Sequence, residues 1–379
     1  MVLSPEQIIR HDRYSGVCVR QLTDHLAHSY HLYFTNPGWW DGGRRLLFGS
    51  DRGNSSNLYS IELESGELSR LTRNGPSDSR QGYQNVFMNP LRDEAYFWRG
   101  NCLCALNLRT RQQRPLTEAP AGWSGGNESC TADGRYVVTA LMQQVDVGPV
   151  NLGAGYIGFR ELFEAHPLCR VVRISTDDGR METLFEERNW IGHVNASPKL
   201  PNVLTFCHEG PWSLVDQRIW GLDKSSGRVW KIRPQSSGEM VGHEYWMADG
   251  ETLGYHGKRD GNAFYGLIRY DDTGCKEVPF PTDSHHFHSN TPRLIVGDGP
   301  AGTPYVLLWQ FDGERFDGPR VLCTHRGSRH TQHLHVHPRF TPDGASVLFT
   351  ADPEGYGQLF LAEVPPFEEL PTLQSLEAR

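Results

Sequence analysis

Short apolar stretches alternate with glycine-containing turns along the whole chain. In residues 41–72, apolar stretches at 46–48, 58–61 and 68–72 are separated by a Ser-Asp-Arg-Gly turn and a Ser-Gly turn. Alternation of apolar and polar positions over such short stretches is the period of a half-buried β-strand. The segment is therefore predicted to be a meander of short antiparallel strands joined by tight turns.

The turn that opens this unit recurs at a regular spacing. It contains Asn-Pro, Ser-Pro, Thr-Pro or Asp-Gly and lies at residues 35–37, 88–90, 131–134, 196–198, 247–250, 290–292 and 341–344. From Pro37 to Pro342 the six intervals average about 51 residues, and a repeat of that length is typical of one blade of a β-propeller. Seven occurrences predict an all-β chain that forms a single seven-bladed β-propeller domain over residues 1–379.

The two ends of the chain predict how the propeller closes. Residues 15–23 resemble residues 65–72, which form the last strand of a unit, whereas the final unit stops after a third strand at 359–364. Pro365 and Pro366 follow that strand and no fourth one comes after them. The N-terminal strand is therefore predicted to complete the last blade, so that no sheet edge is left open.

The repeat register also predicts which side chains line the central channel. In a blade of this kind the strand before the repeated turn is the innermost one. The residues five positions before the proline or alanine of each turn are Leu32, Asn85, Asn127, His193, His243, Phe287 and His337. Most of these residues are polar and three are histidines, so histidines that are distant in sequence are expected to converge on one axis.

Histidine is the residue type that points most clearly to chemistry. The chain contains 17 histidines, and ten of them lie between His243 and His337. In a strand, His335 and His337 share one face about 6.6 Å apart, which suits two ligands of one ion. His333 shares that face but lies about 13 Å from His337, too far for all three to hold one metal. His288, displaced by one position from the channel register, is the predicted third ligand of a divalent metal.

Residues 207–220 and 242–246 combine charged and aromatic side chains, and they contain Arg218 and His243. A structural role, rather than a role in a binding or catalytic site, is the alternative for both residues. Arg218 would then pair with Asp216 on the surface of a blade, and His243 would complete a hydrogen bond in the channel.

Residues 122–126 match the G-x-S-x-G pattern of serine hydrolases. That pattern carries catalysis only on a strand-to-helix turn, and here it falls on a predicted inner strand, so we assign it a structural role. Residues 146–166 form a long insertion in the third unit. Such a loop either forms part of the entrance to a binding site or packs against the protein surface without a role in binding.

Charge and cysteine content narrow the class of protein. The net charge of −8 argues against broad binding to nucleic acid or to an anionic membrane. No apolar run is long enough for a signal peptide or a membrane span. The eight cysteines contain no C-x-x-C pair, and we expect them to be reduced, in a cytoplasmic protein.

Four segments, at residues 208–220, 243–246, 285–290 and 332–338, are similar to those of the oligogalacturonate lyases, cytoplasmic enzymes of pectin degradation. The resemblance extends over essentially the whole chain. It implies a seven-bladed propeller with Mn²⁺, or a similar divalent ion, in its channel.

The resemblance also implies roles for individual residues. His288, Gln332, His335 and His337 would bind the metal, His243 would be the catalytic base, and Arg218 would bind the substrate carboxylate. A glutamine oxygen among imidazole ligands favours Mn²⁺ over a thiolate-type zinc site. A regular strand turns Gln332 away from His335, so this ligand set requires a bulge or a turn at Gln332.

The implied reaction is β-elimination on short galacturonides, such as digalacturonate and unsaturated digalacturonate, to unsaturated and keto monomeric uronates. A metal and an arginine on the carboxylate would stabilise the enediolate that forms when a neutral histidine removes the C5 proton. His208 would bind the substrate or assist the leaving group. The alternatives are a non-catalytic propeller of the TolB type that binds a partner, and a metal-dependent hydrolase.

Overall fold

The computed structural model describes residues 2–75, 82–151 and 155–377. Its strands form seven antiparallel sheets that follow one another along the chain, as the seven repeats predict. The described residues contain only two short α-helices, Phe159–Glu164 and Leu373–Glu377, and two 3₁₀-helices, Gln332–Leu334 and Phe367–Glu369. No helix in this part of the chain is long and apolar enough to cross a membrane.

The chain divides into two compact units. One unit comprises Met1–Gln84 and Val278–Arg379, and the other comprises Asn85–Glu277. The prediction of a single domain stays a prediction.

The first unit contains the first, sixth and seventh sheets. The first sheet consists of Val2–Leu3, Ser29–Tyr30, Trp39–Trp40, Arg45–Ser50, Asn57–Glu62 and Leu68–Arg70. The sixth sheet consists of Phe287–His288, Leu294–Gly297, Tyr305–Phe311 and Phe316–Thr324. The seventh sheet consists of Ile8–His11, Cys18–Gln21, Arg339–Phe340, Ser346–Ala351 and Gln358–Glu363.

The seventh sheet joins the two ends of the chain. Cys18–Gln21 pairs with Gln358–Glu363, and Val19 lies opposite Ala362. The predicted completion of the last blade by an N-terminal strand is therefore confirmed. The added strand gives the backbone groups of Gln358–Glu363 partners on both sides and removes an exposed sheet edge.

The second unit contains the second to fifth sheets. The second consists of Phe87–Met88, Glu94–Arg99, Cys102–Asn107 and Gln113–Glu118. The third consists of Trp123–Cys130, Tyr136–Gln143, Leu168–Ser175 and Met181–Arg188. The fourth consists of Ile191–Ala196, Val203–His208, Ile219–Asp223 and Val229–Lys231. The fifth consists of Met240–Trp246, Thr252–Arg259, Asn262–Arg269 and Lys276–Pro279.

The repeated turns owe their shape to a small set of hydrogen bonds. Thr131 Oγ1 lies 2.5 Å from the carboxylate of Asp133, and Thr341 Oγ1 lies 2.6 Å from that of Asp343. The glycine that ends each of these turns, Gly134 or Gly344, has a positive φ that favours glycine. The repeated sequence therefore encodes one turn geometry in both units.

The hydrophobic core lies between neighbouring sheets within each unit. In the second unit Val138 and Val171 of the third sheet pack with Val194 and Phe206 of the fourth. Burial of each such side chain contributes roughly 1.5–3 kcal/mol to the free energy of folding. Apolar side chains of this kind form the core. The polar side chains near the first strand of each sheet are therefore not needed for packing, and they are available for chemistry.

Candidate active site

Three of the seven register-equivalent positions carry histidine, and all three share an unusual backbone conformation. His193, His243 and His337 have φ values of 46°, 49° and 42°. Residues other than glycine seldom adopt this left-handed conformation, although histidine is among those enriched there. The pairing register shifts between Gly192 and Asn195 and between Gly242 and Tyr245, so His193 and His243 lie in β-bulges. Bulges re-aim side chains and are common beside active sites.

His286, His335 and His337 form a compact group in the first unit. One ring nitrogen of each lies within 4.8 Å of those of the other two. The ring centroids of His286 and His337 are 4.1 Å apart, and those of His335 and His337 are 5.4 Å apart. Three imidazoles at this separation can bind one divalent ion.

A buried carboxylate orients His286 within this group. Its Nδ1 donates to Asp298 Oδ2 at 2.8 Å, and Asp298 also accepts the backbone N–H of His286. Burial would raise the pKa of Asp298, but His286 and Arg329 hold it well below its ordinary value. With Nδ1 bound to a carboxylate, Nε2 of His286 is the nitrogen expected to bind a metal.

His335 has the protonation state that a metal ligand requires. Burial, with a smaller contribution from His286, lowers its pKa to about 4, so the imidazole is neutral near pH 7. Its Nδ1 is buried and has no hydrogen-bond partner among the described residues. A buried nitrogen lone pair without a partner is costly unless it meets a cation or a donor.

The predicted third ligand, His288, does not belong to this group, and His286 occupies that place. His288 lies in the strand Phe287–His288, and the backbone N–H of Phe340 donates to its Nδ1 at 3.3 Å. Which of the two histidines joins the group could not be predicted from the sequence, because Asp298, which binds His286, lies twelve residues further along the chain.

The prediction that residues 333–337 form a regular strand is wrong. Gln332–Leu334 is a 3₁₀-helix, and only after it does the backbone become extended at His335. The ring of His333 stacks on Tyr30 with centroids 4.3 Å apart. The backbone thus has a turn at Gln332, as a glutamine ligand beside His335 requires, and Gln332 stays a predicted ligand.

Arg218 lies in the second unit and is almost completely buried, with 1% of its surface exposed. Its Nη1 donates to Glu209 Oε1 at 2.8 Å and its Nε donates to Glu244 Oε2 at 3.1 Å. The alternative of an ion pair with Asp216 on a blade surface is therefore wrong. Burial lowers the preference of a guanidinium for its charged state, but Glu209 and Glu244 more than offset this and raise the pKa of Arg218.

His243 contacts a second histidine. Its Nδ1 lies 3.1 Å from His256 Nε2, and the edge of Trp212 meets its ring at a centroid distance of 5.1 Å. A Cβ at Gly242 would lie 2.2 Å from the Trp212 ring, so glycine is needed for this contact. Since Glu244 follows His243 directly and binds Arg218, the predicted base and the predicted cation are held by one short segment.

The ring nitrogens of His208 have protein partners. Nε2 lies 2.6 Å from Glu187 Oε1, and Nδ1 lies 3.1 Å from Asn189 Nδ2. The ring of His208 also packs on Trp220 at a centroid distance of 4.9 Å. A contact of His208 with substrate would have to replace one of these hydrogen bonds, and the predicted role of His208 stays a prediction.

The sequence interpretation missed several polar partners of these residues. They are Asp298 beside His286, His256 beside His243, and Glu209 and Glu244 beside Arg218. The one available signal was that Glu209 follows His208 and Glu244 follows His243 directly in the sequence.

Comparison with known proteins decides the family. A family model described as oligogalacturonate lyase matches residues 7–307. The chain belongs to the oligogalacturonate lyase family. Membership in this family makes it an enzyme, a lyase, and rules out the alternative of a non-catalytic binding propeller.

Curated relatives and solved structures agree with this family. The oligogalacturonide lyase of Pectobacterium atrosepticum is 29% identical over 377 residues, which is 93% of this chain and 95% of the relative. The oligogalacturonate lyase of Dickeya dadantii is 27% identical over 375 residues, with the same two shares.

A solved oligogalacturonate lyase in complex with manganese is 25% identical and has a TM-score of 0.87, covering 96% of this chain and 98% of that one. The oligogalacturonate lyase of Vibrio parahaemolyticus is 24% identical with the same TM-score and the same coverage. The predicted seven-bladed β-propeller is confirmed as the fold of this family member.

Proposed function

We propose that this protein cleaves short galacturonides, including digalacturonate and unsaturated digalacturonate, by metal-dependent β-elimination to unsaturated and keto monomeric uronates. The observation that carries the proposal is the group formed by His286, His335 and His337 in a member of the oligogalacturonate lyase family. Neither a non-catalytic propeller nor the packing of its sheets requires three such imidazoles beside a buried carboxylate.

The described residues fit a divalent ion, for which we propose Mn²⁺ or a similar metal. His286, His335 and His337 would supply three nitrogens, and Gln332 would supply an amide oxygen. Imidazole and oxygen ligands suit a borderline divalent ion, and one solved oligogalacturonate lyase is in complex with manganese. When bound, such an ion supplies a Lewis acid that polarises the uronate carboxylate and so favours loss of the neighbouring C5 proton.

His243 is the proposed base. In the tautomer in which its Nδ1–H donates to His256 Nε2, its Nε2 carries the lone pair that accepts the C5 proton. The edge of Trp212 and the bulge at Gly242 fix the orientation of the ring.

Arg218 is the proposed donor to the substrate carboxylate. Glu209 and Glu244 accept from its Nη1 and Nε, and these contacts fix the plane of the guanidinium. A guanidinium has five N–H donors, so its Nη2 can serve the carboxylate while the other two nitrogens stay with the glutamates. For His208 we propose a contact with the substrate or with its leaving group.

We also propose a cytoplasmic location. All eight cysteines lie in the described residues, and none of them is in a disulfide. Reduced thiols throughout a chain of this size are typical of a reducing compartment.

Absorbance spectroscopy tests the proposed reaction. Incubation of digalacturonate with the Mn²⁺-loaded protein should give an early rise in the absorbance of the 4,5-unsaturated ring, and a chelator should abolish it. Release of reducing ends without that absorbance would instead favour the alternative of a metal-dependent hydrolase.

A further inference from the structure

His193 and Glu209 form a hydrogen-bonded pair in the fourth sheet, in the same unit as His243. His193 Nε2 lies 3.1 Å from Glu209 Oε2. The other carboxylate oxygen, Oε1, accepts from Arg218 Nη1 at 2.8 Å. Burial would raise the pKa of Glu209, but Arg218 and His193 hold it well below its ordinary value, so Glu209 is a carboxylate. A carboxylate only accepts hydrogen bonds, and Nε2 of His193 therefore carries a proton.

His193 and His243 occupy equivalent positions in consecutive repeats, yet their hydrogen-bond partners differ in kind. Each follows a glycine, lies in a bulge of the first strand of its sheet, and has a left-handed backbone. The partner of His193 is the carboxylate of Glu209, whereas the partner of His243 is the imidazole of His256. Two titratable groups in such opposed environments are suited to opposite roles, one as acid and the other as base.

The alternative role of His193 and Glu209 is to bind a metal ion together with Cys207. The Sγ atom of Cys207 lies within 4.8 Å of the His193 and Glu209 ligand atoms. One contact disfavours a cation there. The guanidinium of Arg218 already holds Glu209, and it would repel a divalent ion.

The exposure of the pair fits a group that meets a substrate. The side chain of His193 is 14% exposed and that of Glu209 is 12% exposed, whereas that of Arg218 is 2% exposed. Within the row Arg218–Glu209–His193, the imidazole is thus the most exposed side chain, and its Nδ1 is the nitrogen that does not face the carboxylate.

We propose that His193 is the proton donor of the elimination, an inference that rests on the proposed lyase function. His243 takes the C5 proton, the electron pair of that C–H bond forms the C4–C5 double bond, and the C4–O bond breaks. The departing oxygen takes a proton from the Nδ1 of the His193 imidazolium and leaves as a hydroxyl. His193 then regains a proton from water, and His243 returns one to water, so protons balance.

The test compares two leaving groups in one pair of variants. His193→Asn is the chosen variant, since asparagine tolerates the left-handed backbone that alanine does not. His243→Asn is the matched control, at the equivalent position with the same backbone. The substrates are digalacturonate and a galacturonide that carries fluoride at C4, which leaves without protonation.

We expect His193→Asn to lower kcat on digalacturonate by about 10²-fold or more, and to lower it only a few-fold on the fluoride substrate. His243→Asn should lose turnover on both substrates, because both need the C5 proton removed. Equal losses of His193→Asn on the two substrates, or no loss on either, would overturn the inference while leaving the lyase function intact. Absence of turnover in the wild-type protein would instead overturn the proposed function itself.

Metal analysis of the same proteins distinguishes a proton donor at His193 from a metal ligand at His193. If His193 is a proton donor, the wild-type protein and His193→Asn bind the same number of manganese ions per chain. Loss of one manganese equivalent in His193→Asn alone would contradict the proposal and assign the pair to a second metal site.

Discussion

The Nδ1 atom of His286 lies 2.8 Å from the carboxylate of Asp298. This hydrogen bond orients the ring of His286, the histidine that forms a group with His335 and His337. His288, two residues later, instead accepts a backbone N–H from Phe340. The two neighbouring histidines therefore have different expected roles.

Replacing each of these two histidines by alanine distinguishes those roles. His286→Ala should lower the affinity for manganese by at least 10²-fold, because it removes one of three imidazole ligands. His288→Ala, its matched control, should keep the metal although it loses a buried ring. Metal content measured after dialysis provides the check, and metal loss in His288→Ala with retention in His286→Ala would reverse the assignment.

Loss of the His243 imidazole should abolish turnover without affecting the metal. We expect His243→Asn to reduce kcat on digalacturonate by about 10²–10⁴-fold, as for removal of a general base. Exchange of the C5 proton with deuterated water should stop in this variant, and manganese content should stay at the wild-type level. Continued exchange at the wild-type rate would show that another group removes the proton.

Arg218→Lys tests the guanidinium. An ammonium cannot reach Glu209, Glu244 and a substrate carboxylate together, so we expect kcat to fall far more than the substrate affinity. Breaking a buried ion pair also costs about 3–5 kcal/mol, so folding must be checked by circular dichroism at the assay temperature. A folded variant in which KM rises while kcat is preserved would make Arg218 an anchoring charge only.

Glu128 should make stability depend on pH. Burial raises its pKa to about 8 from the ordinary value of 4.5, and its Oε2 has no hydrogen-bond partner among the described residues. The folded state thus holds a proton that the unfolded state releases between these two pKa values. The contribution of Glu128 to stability is therefore greatest below about pH 4.5, and it is lost as the pH rises towards 8.

The matched variant for this prediction is Glu128→Gln, which keeps an oxygen to accept the N–H of Trp98. The wild-type protein should lose on the order of a few kcal/mol more than this variant between pH 5 and pH 8. Urea unfolding at the two pH values measures the difference. Parallel pH dependence in the two proteins would show that Glu128 is not the responsible group.

Much of the fold could be predicted because it repeats. The hydrogen bond between Thr131 and Asp133 recurs between Thr341 and Asp343. Because the same pattern occurs several times in one chain, each repeat supports the interpretation of the others. The same register places His193, His243 and His337 at equivalent positions, and their shared left-handed backbone supports that equivalence.

The details of the site could not be predicted, because they depend on contacts between residues distant in sequence. Arg218 meets Glu244 from the next sheet, 26 residues later, and a count along one strand cannot show this. The assumption of a regular strand at His333–His337 failed because a 3₁₀-helix interrupts the alternation there. The grouping of His286, rather than His288, with His335 and His337 likewise depends on contacts that the sequence does not show.

The central claim is that cleavage proceeds by elimination, and mass spectrometry of the products of digalacturonate tests it most directly. Elimination consumes no water, so one of the two monomers is lighter than galacturonate by one water molecule. We predict that this lighter monomer forms with the manganese-loaded enzyme, disappears after chelation and returns when manganese is added back. Two monomers that both have the mass of galacturonate would show hydrolysis and contradict the account.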